Sequence, residues 1–272
     1  MSPAAERAFV AAARLCAIAV VAIAPIVIMI LLVSTALTLL EGKGELAVAR
    51  DLMLALFGST LAFGSLGATA GTAIGVGAAL FAVEVASPAA RQFIKALVGG
   101  LHAVPAVGFG LAAAAALLFS SQPPGGPFVF LLATLVLTVM IASVVFVQMR
   151  RELSRVPAGI REAASAMGAD TVQVTLRAVL PTIRRKVAAI WWGAFALALG
   201  EATALSMIFQ AAKTRGVDLG TLASVVLRTG AVDRGDAIDP IVALAPAALI
   251  LLVMAVAATV LGRRAAGEPA WP

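Results

Sequence analysis

Six apolar runs of 20 to 32 residues follow one another along this chain of 272 residues. They cover residues 15–40, 52–83, 93–119, 128–147, 187–212 and 241–261. An α-helix rises about 1.5 Å per residue, so even a run of about 20 residues spans a hydrocarbon core of about 30 Å. The sequence therefore predicts an all-α, polytopic membrane protein with six transmembrane helices.

The composition and the distribution of charge support a membrane protein. Charged residues make up 12% of the chain, whereas soluble domains contain about 25%. When the runs are threaded alternately through a membrane, fourteen Lys and Arg residues fall on the side that holds both termini and six on the other side. Positive residues accumulate on the cytoplasmic side, so both termini are predicted to be cytoplasmic. This distribution explains the net charge of +6 without a nucleic-acid partner.

Residue types that build catalytic or metal centres are scarce. The chain has one cysteine, Cys16, and one histidine, His102, so a disulfide or a metal site held by cysteines is excluded within it. No phosphate-binding P-loop or catalytic triad is recognisable. We expect no metal and no cofactor, and we expect the chain itself not to hydrolyse ATP. Cys16 and His102 are interpreted as packed or interfacial residues.

Three glycines in the second apolar run favour close helix packing. Gly67, Gly71 and Gly75 recur every four residues and therefore share one helix face. A face without side chains lets a neighbouring transmembrane helix approach closely. We interpret the stripe as a packing surface.

The interval 150–186 is the longest stretch that could not lie in lipid, and it holds eight of the twenty Lys and Arg residues. Its first half has an apolar stripe at spacings of four, three and four residues, formed by Val156, Ile160, Ala163 and Met167. This spacing predicts a short amphipathic helix that begins near Pro157.

The second half of the interval predicts another amphipathic helix. Gly168 ends the first helix, and Asp170 can cap the second, with Gln173 as its capping-box partner. Its apolar stripe is formed by Val172, Leu176 and Val179. Pro181 is expected to break or kink this helix. Two such helices suit the groove of a soluble partner; the alternative is a basic linker held at the lipid surface.

The interval resembles the cytoplasmic loop of ABC importer permeases, which docks on the ATP-hydrolysing subunit. Six positions at the family's spacing carry the resemblance, namely Glu162, Ala163, Ala164, Gly168, Leu180 and Pro181. Where the family has a large aliphatic residue before Leu-Pro, this chain has Ala178, with Val179 beside it. The resemblance implies an ATPase-coupling loop, with ATP hydrolysed on a separate chain.

Glu201 is the one ionisable residue deep in an apolar run. It lies roughly 21 Å along the fifth run, beyond the membrane midplane, where a charged residue costs about 2.5–3.5 kcal/mol to insert. Its carboxyl group must therefore face a water-filled path, find a cationic partner or be protonated. The alternative is a structural salt bridge to a neighbouring helix.

The surroundings of Glu201 resemble the phosphate-specific permeases among ABC importers. Leu-Gly-Glu-Ala-Thr at 199–203 is similar to that family's Gly-Glu-Thr segment, and Leu-Phe-Gly-Ser-Thr at 56–60 and Val-Pro-Ala-Val-Gly-Phe-Gly at 104–110 also resemble its segments. The resemblance covers about residues 56–205 and, more weakly, the rest.

This resemblance implies a type I ABC importer permease fold, with residues 1–272 as a single transmembrane domain that contains the coupling loop 150–186. It further implies a bacterial inner membrane, a second permease chain that forms a heterodimer with this one, a dimer of ATP-binding subunits and an extracytoplasmic solute-binding protein. The chain is also expected to contact membrane lipid.

Two departures bear on the solute. The family usually has arginines where this chain has Leu197 and Val147, and a phosphate dianion needs compensating charge or donors in a low-dielectric path. Either a sister permease supplies the arginines, which favours phosphate, or the chain moves another solute such as molybdate or a phosphonate. A membrane scaffold or sensor without transport is the third interpretation. The candidate path residues are Glu201, Thr203, Ser59, Thr60 and Gln148, although the hydroxyl and amide groups could equally bond to helix backbone.

Overall fold

The computed structural model describes residues 46–121, 124–221 and 240–267, and these contain helices and connecting segments but no strand. The all-α prediction is confirmed. The α-helices are α1 (Leu46–Leu80), α2 (Pro88–Ala103), α3 (Ala106–Leu118), α4 (Gly126–Ser154), α5 (Ala158–Ala166), α6 (Thr171–Gln173), α7 (Leu180–Gly200), α8 (Thr203–Thr214) and α9 (Pro240–Ala266). A first π-helical turn, Phe81–Val85, follows α1, and a second, Val174–Val179, joins α6 to α7.

Up to five of the six predicted crossings fall within the described residues. Three segments are long and apolar enough to span a membrane as single helices, namely Leu56–Val85, Gly126–Ser154 and Ala247–Ala266. Two bent pairs also qualify, α2 with α3 and Thr171–Gly200 with α8. The predicted first crossing, 15–40, lies outside the described residues.

The hydropathy pattern predicted one transmembrane helix for the third apolar run, but the structure has two helices there. The run divides into α2 and α3, which meet at an angle of 86°. Val104 and Pro105 both have extended backbone, with ψ angles of 124° and 149°. Proline lacks an N–H donor and disfavours helical geometry in the residue before it, so the helix ends here and a new one begins.

Pro181 was expected to break or kink the second helix of the interval 150–186, and the structure has no break there. Helical structure continues from Thr171 to Gly200, and the bend of 46° comes later, at Glu201. The backbone N–H of Leu180 bonds to the carbonyl of Thr175, five residues earlier, in the wider π-helical register. This wider turn, placed directly before Pro181, lets the helix pass a residue that has no N–H to donate.

The glycine stripe packs α1 closely against α4, as predicted. A Cβ atom built at Gly67 would lie 3.0 Å from Leu137 Cβ, and one built at Gly71 would lie 2.6 Å from Ile141 Cγ2. The ring of Phe63, also on α1, lies tilted against the rings of Phe130 and Phe209, with centroids 4.6 and 5.4 Å away. These contacts hold α1, α4 and α8 together.

The same close approach occurs between α3 and α8. A Cβ at Gly110 would lie 2.7 Å from the Cα atom of Ala204, and Ala204 is fully buried. The second helix of one bent pair, α3, is therefore packed against the second helix of the other bent pair, α8. This pairing brings both helix breaks to the same region of the molecule.

Candidate functional site

The first half of the interval 150–186 forms the helix that its sequence predicts. Helix α5 begins directly after Pro157 and ends at Ala166, with Met167 as its C-cap. Gly168 then has a φ angle of +84°, in the left-handed region that disfavours residues with a Cβ atom. The chain reverses there, and the backbone N–H of Ala169 bonds to the carbonyl of Ala164.

The cap of the second helix also follows the prediction. The Oδ1 atom of Asp170 accepts a hydrogen bond of 2.7 Å from the backbone N–H of Gln173. The six positions shared with importer permeases occupy different environments. Ala164 is buried and Leu180 half-buried, whereas the other four are exposed, namely Glu162, Ala163, Gly168 and Pro181.

The predicted apolar stripes do not both face the core. Ala163 is exposed, and the neighbouring Ala164 is buried in its place. In the second helix Val179 is buried, but Val172 and Leu176 are 57% and 54% exposed. Local spacing cannot decide which side of so short a helix is covered, because the answer depends on the turn at Gly168 and on the helices beneath it.

Three apolar side chains consequently project around the glycine turn. Met167, directly before Gly168, is 82% exposed, and Val172 and Leu176, on the helical segment that follows the turn, are exposed as well. We call these three residues the docking knob. A cluster of large apolar side chains on an exposed turn is typical of a protein–protein contact.

The two helix breaks border one cavity of about 180 Å³. The walls come from the end of α2, the start of α3, the middle of α4 and the end of α7. Most of the lining is apolar, and the polar side chains are those of His102, Ser143 and Glu201. No lysine or arginine is among the described lining residues, and the described residues include no group of three His, Cys, Asp or Glu side chains placed to hold a metal ion.

Glu201 lies at the break between α7 and α8 and caps the second of these helices. Its Oε1 atom accepts a hydrogen bond of 3.0 Å from the backbone N–H of Ala204. A carboxylate at a helix N-terminus is stabilised by that bond and by the helix dipole. The side chain is partly exposed and lines the cavity, so the carboxylate combines a structural contact with access to the cavity.

Comparisons with known proteins identify the fold. No protein-family model and no curated protein matches the chain, but solved structures do. One is the crystal structure of an amino acid ABC transporter with histidines, with a TM-score of 0.60 and 17% identity over 81% of this chain and 97% of that one. Two inward-facing structures of the MetNI methionine ABC transporter have TM-scores of 0.57 and 0.51, each with 17% identity. They cover 80% and 76% of this chain and 96% and 93% of theirs. The chain has the type I ABC importer permease fold.

Within this permease fold, the predicted path residues do not all meet at the cavity. Ser59 donates its hydroxyl to the carbonyls of Leu56 and Gly220, and the hydroxyl of the buried Thr60 donates to Leu56 at 2.6 Å. Thr203 begins α8, and Gln148 is exposed near the end of α4. Of the five, Glu201 is the one among the described lining residues.

His102 is a cavity residue that sequence reasoning did not assign. It was interpreted as packed or interfacial, yet it is exposed at the end of α2 and lines the cavity with Glu201. The signal was Pro105, three residues later, which ends α2 and turns that end towards the cavity. Of the two positions where the related family has arginine, Leu197 lines the cavity, and Val147 packs against the core.

Proposed function

We propose that this chain is the permease subunit of an ABC importer and that the docking knob binds an ATP-hydrolysing subunit. The exposed knob on the left-handed turn at Gly168 carries the proposal, and the permease fold supports it. The interval 150–186 and both termini are then cytoplasmic, in a bacterial inner membrane. Residues 1–272 act as one transmembrane domain that is not itself an enzyme, because ATP is hydrolysed on the partner.

The knob offers a partner a large gain in apolar burial for a small contact. Complete burial of a Met, Val or Leu side chain contributes about 1.5–3 kcal/mol each. The turn at Gly168 also presents these side chains with little additional ordering on binding, since α5 and the second π-helical turn already fix its two ends. A rigid apolar projection of this kind fits a preformed groove on the ATPase subunit.

Met167→Glu is expected to reduce the ATPase subunit recovered with the permease by about tenfold or more. The substitution removes apolar surface from the contact and forces a carboxylate to lose its water. The folded permease should tolerate it, because Met167 is 82% exposed. The measurement is the amount of ATPase subunit that co-purifies with tagged permease from membranes containing the complete transporter.

Ser154→Glu is the matched control for this experiment. Ser154 is also exposed, is the last residue of α4 and is not part of the knob, and the variant adds the same charge. The control is expected to retain the ATPase subunit. Normal recovery with Met167→Glu would rule out the knob as the docking surface.

For the solute, we propose an inorganic oxyanion, with phosphate as the first candidate. The segments 56–60, 104–110 and 199–203, which resemble phosphate-specific permeases, support this choice. The cavity needs added positive charge for such a solute, since its described lining contains a carboxylate and no lysine or arginine. A second, different permease chain would supply the arginines, and an extracytoplasmic binding protein would deliver the anion.

The cavity itself favours a second candidate, a small solute with an ammonium group and an apolar body. Glu201 would bind the ammonium group, and the apolar walls would contact the rest. The similar structures include transporters of an amino acid and of methionine. Molybdate and phosphonates remain further oxyanion alternatives, and a scaffold or sensor without transport would show no uptake.

Glu201→Gln is expected to lower solute uptake by about tenfold or more, because an amide cannot form an ion pair with the proposed cation in the path, an arginine of the second permease chain or an ammonium group of the solute. Truncating one partner of a buried charge pair costs about 2–5 kcal/mol. Assembly should be preserved, since the amide oxygen of glutamine can still accept the hydrogen bond from Ala204. The measurement is uptake of labelled phosphate by phosphate-starved cells whose transporter contains the wild-type or variant chain.

Competition and a second variant complete this experiment. Uptake that resists excess molybdate, phosphonate and amino acids supports phosphate, whereas inhibition by one of them identifies the competing class. Glu201→Ala removes both the charge and the cap, so it should also lower the amount of folded protein. Wild-type uptake by the Glu201→Gln variant would show that the Glu201 side chain only caps α8 and takes no part in transport.

A further inference from the structure

The docking region is joined to α1 by an ion pair between residues far apart in sequence. Arg161 lies in α5, and Glu84 lies 77 positions earlier, in the first π-helical turn. The Nη2 atom of Arg161 donates to Glu84 Oε1 at 2.7 Å, and its Nε atom donates to Oε2 at 3.0 Å. Two parallel bonds fix the relative orientation of guanidinium and carboxylate, which a single contact would not do.

The same guanidinium also holds the end of α4. Its Nη1 atom donates to the carbonyl of Val156 at 3.0 Å, and Nη2 donates to the carbonyl of Leu153 at 3.1 Å. One side chain therefore joins α1, the end of α4 and the docking helix α5. Hydrogen bonds to Glu84 raise the pKa of Arg161 above its ordinary value, although burial alone would lower it.

This ion pair is more enclosed than the pair formed by Arg155 and Glu152. The Glu84 side chain is 8% exposed and that of Arg161 is 27% exposed. By contrast, the side chains of Arg155 and Glu152 are 72% and 21% exposed, three residues apart on the protein surface. Water and salt screen an exposed pair strongly and an enclosed pair much less.

The covalent route from the docking helix does not include α1. Helix α5 continues directly from α4 and leads to α7, whereas α1 is separated from it by α2, α3 and α4 along the chain. Glu84 lies on a π-helical turn, a local irregularity that is often found at functional sites. Arg91, at the start of α2, donates to the Val83 carbonyl of that turn at 3.0 Å.

We propose that Arg161 is a positioning residue that transmits movement of the docked ATPase from α5, through Glu84, to α1 and α2. The far end of α2 carries Leu101 and His102 to the cavity, so this route connects the docking knob to the solute path. The role rests on the proposed importer function. It adds a second mechanical connection beside the covalent one through α4 and α7.

The test is the number of solute molecules moved per ATP hydrolysed by the complete transporter in proteoliposomes. Arg161→Gln is expected to lower this ratio about tenfold, while the ATPase subunit stays bound, because the docking knob is intact. Exchanging the charges, with Glu84→Arg and Arg161→Glu in one chain, is expected to recover part of the ratio by restoring the ion pair, but not all of it, because a carboxylate at position 161 cannot donate to the carbonyls of Val156 and Leu153. A residue that only stabilised the fold would change protein yield without changing the ratio.

The matched control is Arg155→Gln, which removes a cation from the exposed pair in the same loop and should leave the ratio unchanged. If the Arg161→Gln protein does not accumulate in the membrane, the ratio is measured with Arg161→Lys instead, since lysine keeps the charge and loses the parallel bonds. A ratio reduced severalfold in that variant supports the role, and a wild-type ratio in either Arg161 variant overturns it.

The wild-type sample separates this role from the proposed function. A wild-type complex that contains no ATPase subunit would remove the importer function and the transmission role together. A wild-type complex that couples ATP hydrolysis to uptake, combined with Arg161 variants of unchanged ratio, would overturn the transmission role alone.

Discussion

Gly168→Val is expected to reduce solute uptake by about tenfold or more while the permease still inserts and folds. The φ angle of Gly168 is +84°, and a residue with a Cβ atom pays about 1–2 kcal/mol in this region, with a β-branched residue at the upper end. Nothing lies within 4 Å of a Cβ at this position, so the penalty is one of backbone geometry. The turn would open and move the docking knob. Uptake and ATPase activity, measured together in proteoliposomes, would reveal the loss of coupling.

Two substitutions isolate the backbone effect. Gly168→Asn should be close to wild type, because asparagine adopts left-handed geometry more readily than other residues with side chains. Gly159→Val places the same side chain inside α5, where it also meets nothing within 4 Å and no positive φ is needed. Normal coupled uptake with Gly168→Val would show that the shape of this turn is unimportant for transport.

The interval 150–186 shows which features a local sequence pattern can determine. Pro157, Gly168 and Asp170 act on their own backbone neighbours, so the helix start, the turn and the cap were predicted from sequence. The exposed positions of Val172 and Leu176 were not, because apolar spacing identifies a face without identifying what covers it. In this interval Met167, Val172 and Leu176 extend outwards, whereas Ala164 and Val179 pack inwards.

The predicted transmembrane segments also have features that the sequence reveals and features that it does not. Hydropathy located the apolar runs, since length and composition decide whether a segment can span a membrane. It did not locate the breaks at Pro105 and Glu201, because a bend alters backbone geometry without altering mean hydropathy. The assembly of the cavity from the two breaks follows from the packing of α3 on α8, through Gly110 and Ala204, which no local pattern specifies.

The ion pair of Arg161 and Glu84 lay beyond sequence reasoning for the same physical reason. Its partners are 77 residues apart, and each has several residues of opposite charge nearer in sequence. The glycine stripe of α1, in contrast, was recognised from the sequence, because glycines four residues apart share one helix face and such a face is what close helix packing requires. The stripe identified a packing face without naming α4 as its partner.

Gly75→Ala is expected to destabilise the permease by about 1–3 kcal/mol, the usual cost of overpacking a close contact. A Cβ at Gly75 would lie 2.7 Å from the backbone oxygen of Ala142 and 2.8 Å from Val145 Cβ. A backbone oxygen cannot move aside as a flexible side-chain end can, so α1 and α4 must separate. The separation also removes dispersion contacts, which hold transmembrane helices together where lipid is as apolar as their side chains.

Gly77→Ala makes the same substitution two residues away on the open face of α1, where nothing lies within 4 Å of the new atom. Alanine is intrinsically better than glycine in a helix by about 1 kcal/mol, so this control should be neutral or slightly stabilising. The midpoint of thermal unfolding, measured on both purified variants in one detergent, should therefore fall for Gly75→Ala and not for Gly77→Ala. Equal midpoints would mean that α1 and α4 are farther apart in the membrane than the contact at Gly75 requires, and that the glycine stripe serves another neighbour.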